Sequence, residues 1–171
     1  MPIHVFVDEN KVRGLLMAAA SCPSGDVAVA RKALRGLLLP GQERIHFNHE
    51  KPARRKKILD VIAGLHLVVD LYKTGTDTHA DRRRCLQAIV RDNAGSAERI
   101  VVEMEESTCE HDRRWLREAA RHFGCHDTMR WDVLVAKSDP LLWVPDAVAW
   151  SWVRGGAWRR AVMPFCQLKE L

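Results

Sequence analysis

The stretch Ile3-His4-Val5-Phe6-Val7, followed by Asp8-Glu9-Asn10-Lys11, decides where the sheet of this protein begins. Its β-branched and aromatic residues are typical of a strand, and the polar residues after it predict a turn. A second apolar run over residues 14–22 is the expected return strand. The two runs together predict a β-hairpin at the start of the fold.

Strand-like and helix-like segments alternate along the rest of the chain. Residues 24–64 predict two helices. Strands are then predicted at 65–73, 99–104 and 129–135, and each is followed by a helix. Such alternation is typical of parallel strands joined by right-handed crossovers. We therefore predict an α/β fold with a mixed five-stranded sheet and a helical insertion after the second strand, at about residues 24–64.

The composition limits the class of protein. With 171 residues and 47% hydrophobic content, the chain can bury one core, so we predict a single domain over residues 1–171. No run of about 18 apolar residues occurs, so no membrane span is expected. Five cysteines without a regular framework suit reduced thiols, and residues 1–4 lack the features of a signal peptide. These observations predict a cytoplasmic protein, and the net charge of +5 permits an anionic partner.

Three carboxylates interrupt or end apolar runs. Asp8 follows the first strand, Glu103 lies near the end of the fourth, and Asp146 follows Pro145 in the first turn of a helix. Because parallel α/β units place functional groups beyond the carboxyl ends of their strands, we expect these acids at one edge of the sheet. Clustered carboxylates repel one another, and a divalent cation is the usual compensation. The pattern predicts a site for Mg²⁺ or Mn²⁺.

Each of these acids also has a structural interpretation. Asp8 suits a hairpin turn, Glu103 suits an ion pair with an arginine, and Asp146 suits the positive end of a helix dipole. Taken singly, these interpretations are the simpler ones. Three acids at equivalent strand ends form a more specific pattern, so we favour the metal site.

Four short motifs carry a family resemblance: Val5-Phe6-Val7-Asp8-Glu9, Arg44-Ile45-His46-Phe47, Arg99-Ile100-Val101-Val102-Glu103 and Pro145-Asp146-Ala147-Val148-Ala149-Trp150. The chain resembles the family catalogued as domain of unknown function 3800, whose members are similar in fold to ribonuclease H-like nucleases and integrases. The resemblance implies a ribonuclease H-like three-layer fold with helices on both faces of the sheet. It also implies a metal site built from Asp8, Glu103 and Asp146, with Glu9 assisting beside it. The third residue of the first motif is usually serine, and Asn10 keeps a polar group there.

The sequence leaves two features of this site undetermined, namely the role of His46 and the identity of a fourth acidic ligand. The resemblance implies that His46 transfers a proton or contacts a phosphate, whereas the residues alone equally fit a core histidine that donates to a carbonyl. The helix after the third strand lacks a clear fourth acidic ligand. Glu105, Glu106, Glu9 or a histidine are the candidates, unless the ligand is missing. His49 forms an H-x-x-H pair with His46, but no further ligands follow at useful spacing, so we assign it no role.

A zinc site is the rival metal hypothesis. The residues are Cys109, His111, His122, Cys125 and His126, which flank one predicted helix, and cysteine with histidine is typical of zinc. At about 1.5 Å per residue, Cys109 and Cys125 lie about 20 Å apart, so one ion cannot bridge them. The remaining three residues would need ligands from elsewhere, and we disfavour zinc.

Basic clusters supply candidate nucleic-acid contacts. Arg54, Arg55, Arg82 and Arg83 lie near the first turns of predicted helices, where phosphates are favoured, and Arg159 lies beside a tryptophan. The alternative interpretation is that these charges form ordinary solvated helix faces.

The sequence therefore predicts a divalent-metal-dependent nuclease that hydrolyses phosphodiester bonds, with nucleic acid as its partner. A second hypothesis keeps the ribonuclease H-like fold with a degenerate site, as a module that binds nucleic acid or protein without catalysis. A third is a structural or toxin-type protein that acts only with another chain. A protein partner or a homo-oligomer is compatible with all three.

Overall fold

A mixed β-sheet of six strands forms the centre of the computed structural model, which describes residues 1–171. The strands are β1 (Ile3–Asn10), β2 (Leu16–Pro23), β3 (Val68–Lys73), β4 (Ala97–Glu103), β5 (Arg130–Leu134) and β6 (Cys166–Glu170). Their order across the sheet is β5-β4-β1-β2-β3-β6. β2 runs antiparallel to its neighbours β1 and β3, and the other neighbouring pairs are parallel. The predicted α/β class is confirmed.

The strand count differs from the prediction by one. The sixth strand, Cys166–Glu170, comes from the tail after Gly155, and it pairs in parallel with β3 at the edge of the sheet. An edge strand needs no continuous apolar run, and three of the five residues of β6 are polar or charged. The prediction of five strands is therefore wrong, because it looked for buried strands only.

Helices cover both faces of the sheet. They are α1 (Val27–Arg35), α2 (Pro52–Gly64), α3 (His79–Asn93), α4 (Cys109–His122), α5 (Trp143–Arg154) and α6 (Gly156–Val162). The first two lie between β2 and β3, where the sequence predicts a helical insertion. None of the helices is long and apolar enough to cross a lipid bilayer.

Alternation along β1 separates two hydrophobic cores. Phe6 packs with residues of α1, α2 and α5 on one face, whereas Val5 and Val7 pack with residues of α3 and α4 on the other. Successive side chains of a strand point to opposite faces. Asp8 therefore belongs to the face of Phe6, and Glu9 belongs to the face of Val7.

The first strand is longer than predicted. Asp8, Glu9 and Asn10 pair with β2 residues as far as Leu16, so the turn predicted at Asp8–Lys11 begins only after Asn10. The turn contains Gly14 at a φ of +78°, where a Cβ atom would lie 2.7 Å from the Thr74 carbonyl oxygen. Glycine suits this position because it has no Cβ. The extended pairing holds Asp8 on a rigid strand.

A buried ion cluster connects β1 to the helices on the face of Val7. Arg82 of α3 is 2% exposed, and its Nη1 atom lies 2.8 Å from Glu9 Oε1. Its Nε and Nη2 atoms donate to the two carboxylate oxygens of Asp112 in α4, at 2.7 and 2.8 Å. The bidentate pair joins α3 to α4, and the contact with Glu9 joins both helices to β1.

Replacement of Arg82 by methionine tests this cluster. Arg82→Met leaves Glu9 and Asp112 buried without a cation, so we expect the free energy of unfolding to fall by about 3–5 kcal/mol. The neighbouring Arg83 is half exposed and pairs with Glu118, so Arg83→Met is the control, with an expected loss below about 1 kcal/mol. Denaturant titration measures both. Equal losses in the two variants would contradict a stabilising role for the cluster.

Candidate functional site

Three carboxylates border one cleft at the end of β1 and β4. Asp8 lies in β1 and Glu103 is the last residue of the adjacent parallel strand β4, one position beyond the register pair Val7 and Val102. Asp146 comes from the first turn of α5, which packs across β1 and β2. The cleft has a volume of about 410 Å³. The structure thus places the three predicted acids together.

Asp8 and Glu103 are close enough for each carboxyl group to shift the pKa of the other. Asp8 is only 5% exposed, and burial raises its pKa well above the ordinary value, while the negative charges of Glu103, Glu9 and Asp146 raise it further. Burial also raises the pKa of Glu103, while the neighbouring Asp8 carboxyl and the charge of Arg44 oppose the rise. Without a cation the two groups are therefore suited to share a proton.

Asp146 is fixed by the segment that precedes α2. Its Oδ2 atom accepts a hydrogen bond from the Phe47 backbone N–H at 3.0 Å. Burial raises the pKa of Asp146, while this hydrogen bond and the nearby His46 oppose the rise. α5 begins at Trp143, so Pro145 is its third residue and not its first as predicted. Proline fits there because the first turn of a helix has unpaired N–H groups in any case.

His46 lies at the cleft beside Asp146. Its Nδ1 atom is 2.9 Å from Nδ1 of His49, so one ring donates and the other accepts. Burial lowers the pKa of His46, Asp146 opposes this, and Arg44 and His49 lower it further. The pKa of His46 therefore lies below its ordinary value, which favours the neutral ring, and a protonated ring would interact with Asp146. The H-x-x-H pair, for which the sequence predicts no role, brings the two rings together because positions i and i+3 of a 3₁₀ turn lie above one another.

Arg44 is the one basic residue within 4.0 Å of any of the three carboxylates, and the sequence marks it only as the first residue of the Arg44-Ile45-His46-Phe47 motif. Its Nη2 atom lies 3.8 Å from Glu103 Oε1, beyond hydrogen-bonding distance. Glu103 Oε1 is buried and accepts no hydrogen bond. A single arginine at the rim therefore pairs with Glu103 without a hydrogen bond, and its one positive charge faces three carboxylates.

The assisting role that the family resemblance implies for Glu9 stays a prediction. Glu9 borders the cleft, but its carboxylate is on the other face of β1 and its Oε1 atom lies 2.8 Å from Arg82 Nη1. Of the other candidates for a fourth ligand, Glu105 borders the cleft and accepts from Ser107 Oγ at 3.3 Å, whereas Glu106 is exposed outside it. Glu9 acts through its charge, which raises the pKa of Asp8.

The donor set fits a hard divalent cation in its chemistry. Carboxylate oxygens are the ligands that Mg²⁺ and Mn²⁺ prefer, and the unpartnered Glu103 Oε1 is a buried acceptor that lacks a donor. No three acidic, histidine or cysteine side chains converge in ligand geometry as they stand. Binding would therefore require the three carboxylates to reorient toward the ion.

The residues of the rival zinc site are dispersed. His111 stacks on Trp115, and His126 lies 3.3 Å from Asp127. Cys125 is buried in the core, where burial raises the pKa of its thiol. The structure brings no zinc ligand set together.

Most of the predicted nucleic-acid contacts are occupied within the protein. Arg54 binds Glu50 and the Leu37 carbonyl; Arg55 donates to the Phe47 and Asn48 carbonyls. Arg83 pairs with Glu118. The assignment of Arg82 is wrong, because this residue is buried in the ion cluster with Glu9 and Asp112. Arg159 alone borders an open groove without a carboxylate partner.

Comparison of the sequence with protein-family models and with curated proteins returns no match. The resemblance to domain of unknown function 3800 thus rests on the four short motifs alone.

The raised pKa of Asp8 has a consequence for stability. The folded protein holds the Asp8 proton more tightly than the unfolded chain does, so ionisation costs stability as the pH rises through the folded pKa. We expect Asp8→Asn, measured in a metal chelator, to match wild type near pH 3 and to exceed it by about 0.5–2 kcal/mol at pH 7. Denaturant titration at several pH values measures the difference. A variant less stable than wild type at pH 7 would contradict the proposed repulsion.

Proposed function

We propose that this protein is a divalent-metal-dependent nuclease with a ribonuclease H-like architecture. The observation that supports the proposal most is the pairing of the buried Asp8 with the largely buried Glu103, which border one cleft with Asp146 and face one arginine, 3.8 Å from Glu103. Isolated buried carboxylates are costly, and functional sites are the usual places where such a cost is retained.

The fold is compatible with this proposal. A mixed sheet, helices on both faces and a helical insertion after the second strand all agree with what the family resemblance implies. The two strands that carry Asp8 and Glu103 are neighbours, and α5 brings Asp146 to the same end. Fold alone does not specify activity, so the acidic cleft carries the argument.

The residues of the cleft have complementary parts in phosphodiester hydrolysis. Asp8, Glu103 and Asp146 would hold the ion, which when bound supplies an activated water and stabilises the leaving oxygen. His46 has a lowered pKa and its Nε2 atom makes no hydrogen bond within the protein, so it can accept a proton or donate to a phosphate oxygen. Arg44, at the rim, can bind a non-bridging phosphate oxygen.

A catalytically degenerate binding module is the second candidate function. The observations that favour it are the proximity of Arg44 to Glu103 and the lack of converged ligands. In that case nucleic acid or protein would bind without any requirement for a divalent ion. Cleavage assays separate the two functions.

Cleavage by purified protein tests the nuclease. We expect wild-type protein to cut labelled single- or double-stranded DNA or RNA with Mg²⁺ or Mn²⁺, and to be inactive in a chelator. Asp8→Asn and Asp146→Asn should each lower the rate by about 100-fold or more, because each removes a charge at the reacting centre.

Glu106→Gln is the matched control, since Glu106 is exposed outside the cleft, and it should keep the wild-type rate. Equal cleavage by wild type and Asp8→Asn would show that the activity comes from a contaminant or another site, and would contradict the proposal. Lack of cleavage of every substrate by wild type, with metal-independent binding, would favour the degenerate module.

A further inference from the structure

Two depressions continue the carboxylate cleft across the surface. The first has a volume of about 330 Å³ and shares four bordering residues with the cleft: Asn10, Val12, Asn48 and Trp150. The second, of about 80 Å³, shares Arg13 and Val153 with the first. The three depressions therefore lie in a row that leads from the acids toward α6, and we call this row the groove.

The charge along this groove changes sign. The two depressions beyond the cleft are bordered by Arg13, Lys73, Arg154 and Arg159, and by no carboxylate. None of these four cations has a carboxylate within 4.0 Å. The groove thus joins a negative cleft to a positive segment, which we call the basic track.

Four separate elements build the basic track. Arg13 lies in the turn between β1 and β2, Lys73 ends β3, Arg154 ends α5 and Arg159 lies in α6. Arg13, Lys73 and Arg154 are exposed. Arg159 is held in place, because its Nε atom donates to the Trp152 carbonyl at 2.8 Å and its guanidinium lies 5.2 Å from the Trp152 ring centre.

Arginine and lysine without internal partners are suited to bind phosphate oxygens. Internal ion pairs engage other arginines, such as Arg31 with Asp139 and Arg99 with Asp132, so those arginines are less available. A chain with one charge at each repeat could occupy the track with several cations at once while one of its linkages lies in the cleft. A phosphodiester backbone has that charge pattern.

We propose that Arg13, Lys73, Arg154 and Arg159 form a track that binds the phosphodiester backbone of a nucleic acid on one side of the carboxylate cleft. The part of the track in catalysis rests on the proposed nuclease function. Binding of the backbone to the track requires neither a metal ion nor cleavage. An acidic polypeptide is the competing occupant.

Salt-dependent binding in a chelator tests the track. The probe is a fluorescent single-stranded oligonucleotide, with the matching duplex as a second arm. The variant is Arg13→Gln, Lys73→Gln and Arg154→Gln together, which removes three exposed charges and leaves Arg159 in place. The control removes the same residue types from exposed, unpaired positions outside the groove: Arg35→Gln, Lys57→Gln and Arg121→Gln.

Loss of three phosphate contacts should reduce the slope of log K against log salt by about 2 for a single strand, whereas the control should change it by less than about 0.5. Equal slopes in the two triple variants would overturn the proposal. So would absence of binding by wild type at low salt, or equal competition by polyglutamate of the same charge. Binding with the expected slopes but without cleavage in Mg²⁺ or Mn²⁺ would keep the track and reject the nuclease.

Discussion

Asp8 and Glu103 lie side by side at the ends of two adjacent parallel strands, largely shielded from water. Two carboxyl groups in such a place cannot both ionise without a compensating charge. Arg44 is too distant from Glu103 to provide it through a hydrogen bond, and Asp146 adds a third acid. The site is therefore adapted either to retain a proton or to accept a cation, and both options depend on the rigid pairing of β1 with its neighbours.

The neighbouring acids Asp8 and Glu9 have different roles because successive side chains of β1 point to opposite faces of the sheet. Asp8 faces α5 and the cleft, whereas Glu9 faces α3 and α4 and is held by Arg82. The ion cluster on the second face fixes the strand that presents Asp8 on the first. The basic track begins at the turn that follows the same strand. β1 thus contributes Glu9 to the stabilising ion cluster, Asp8 to the acidic cleft and, through the turn that follows it, Arg13 to the proposed binding surface.

The sequence predicts the fold where strong local signals exist. The bounds of α2 agree with proline at the start and glycine at the end of an apolar periodic segment. The three acids meet as predicted because the alternation of strands and helices along the chain predicts parallel strands, whose carboxyl ends lie at one edge of the sheet. β6 could not be predicted, because its edge position leaves it half polar. The position of Arg44 beside Glu103 and most of the basic track could not be predicted for another reason. The sequence singles out only Arg159 of the track, because its residues come from segments far apart in sequence and only the tertiary fold brings them together.

Calorimetric titration with Mn²⁺ is the most direct test of the claim that Asp8, Glu103 and Asp146 form a cation site. We expect saturable binding to wild-type protein and to Glu106→Gln, with loss of binding in Asp8→Asn, since a neutral amide is a poorer ligand for a hard cation. No binding to wild type, or equal binding to wild type and Asp8→Asn, would rule out a cation site at these three acids.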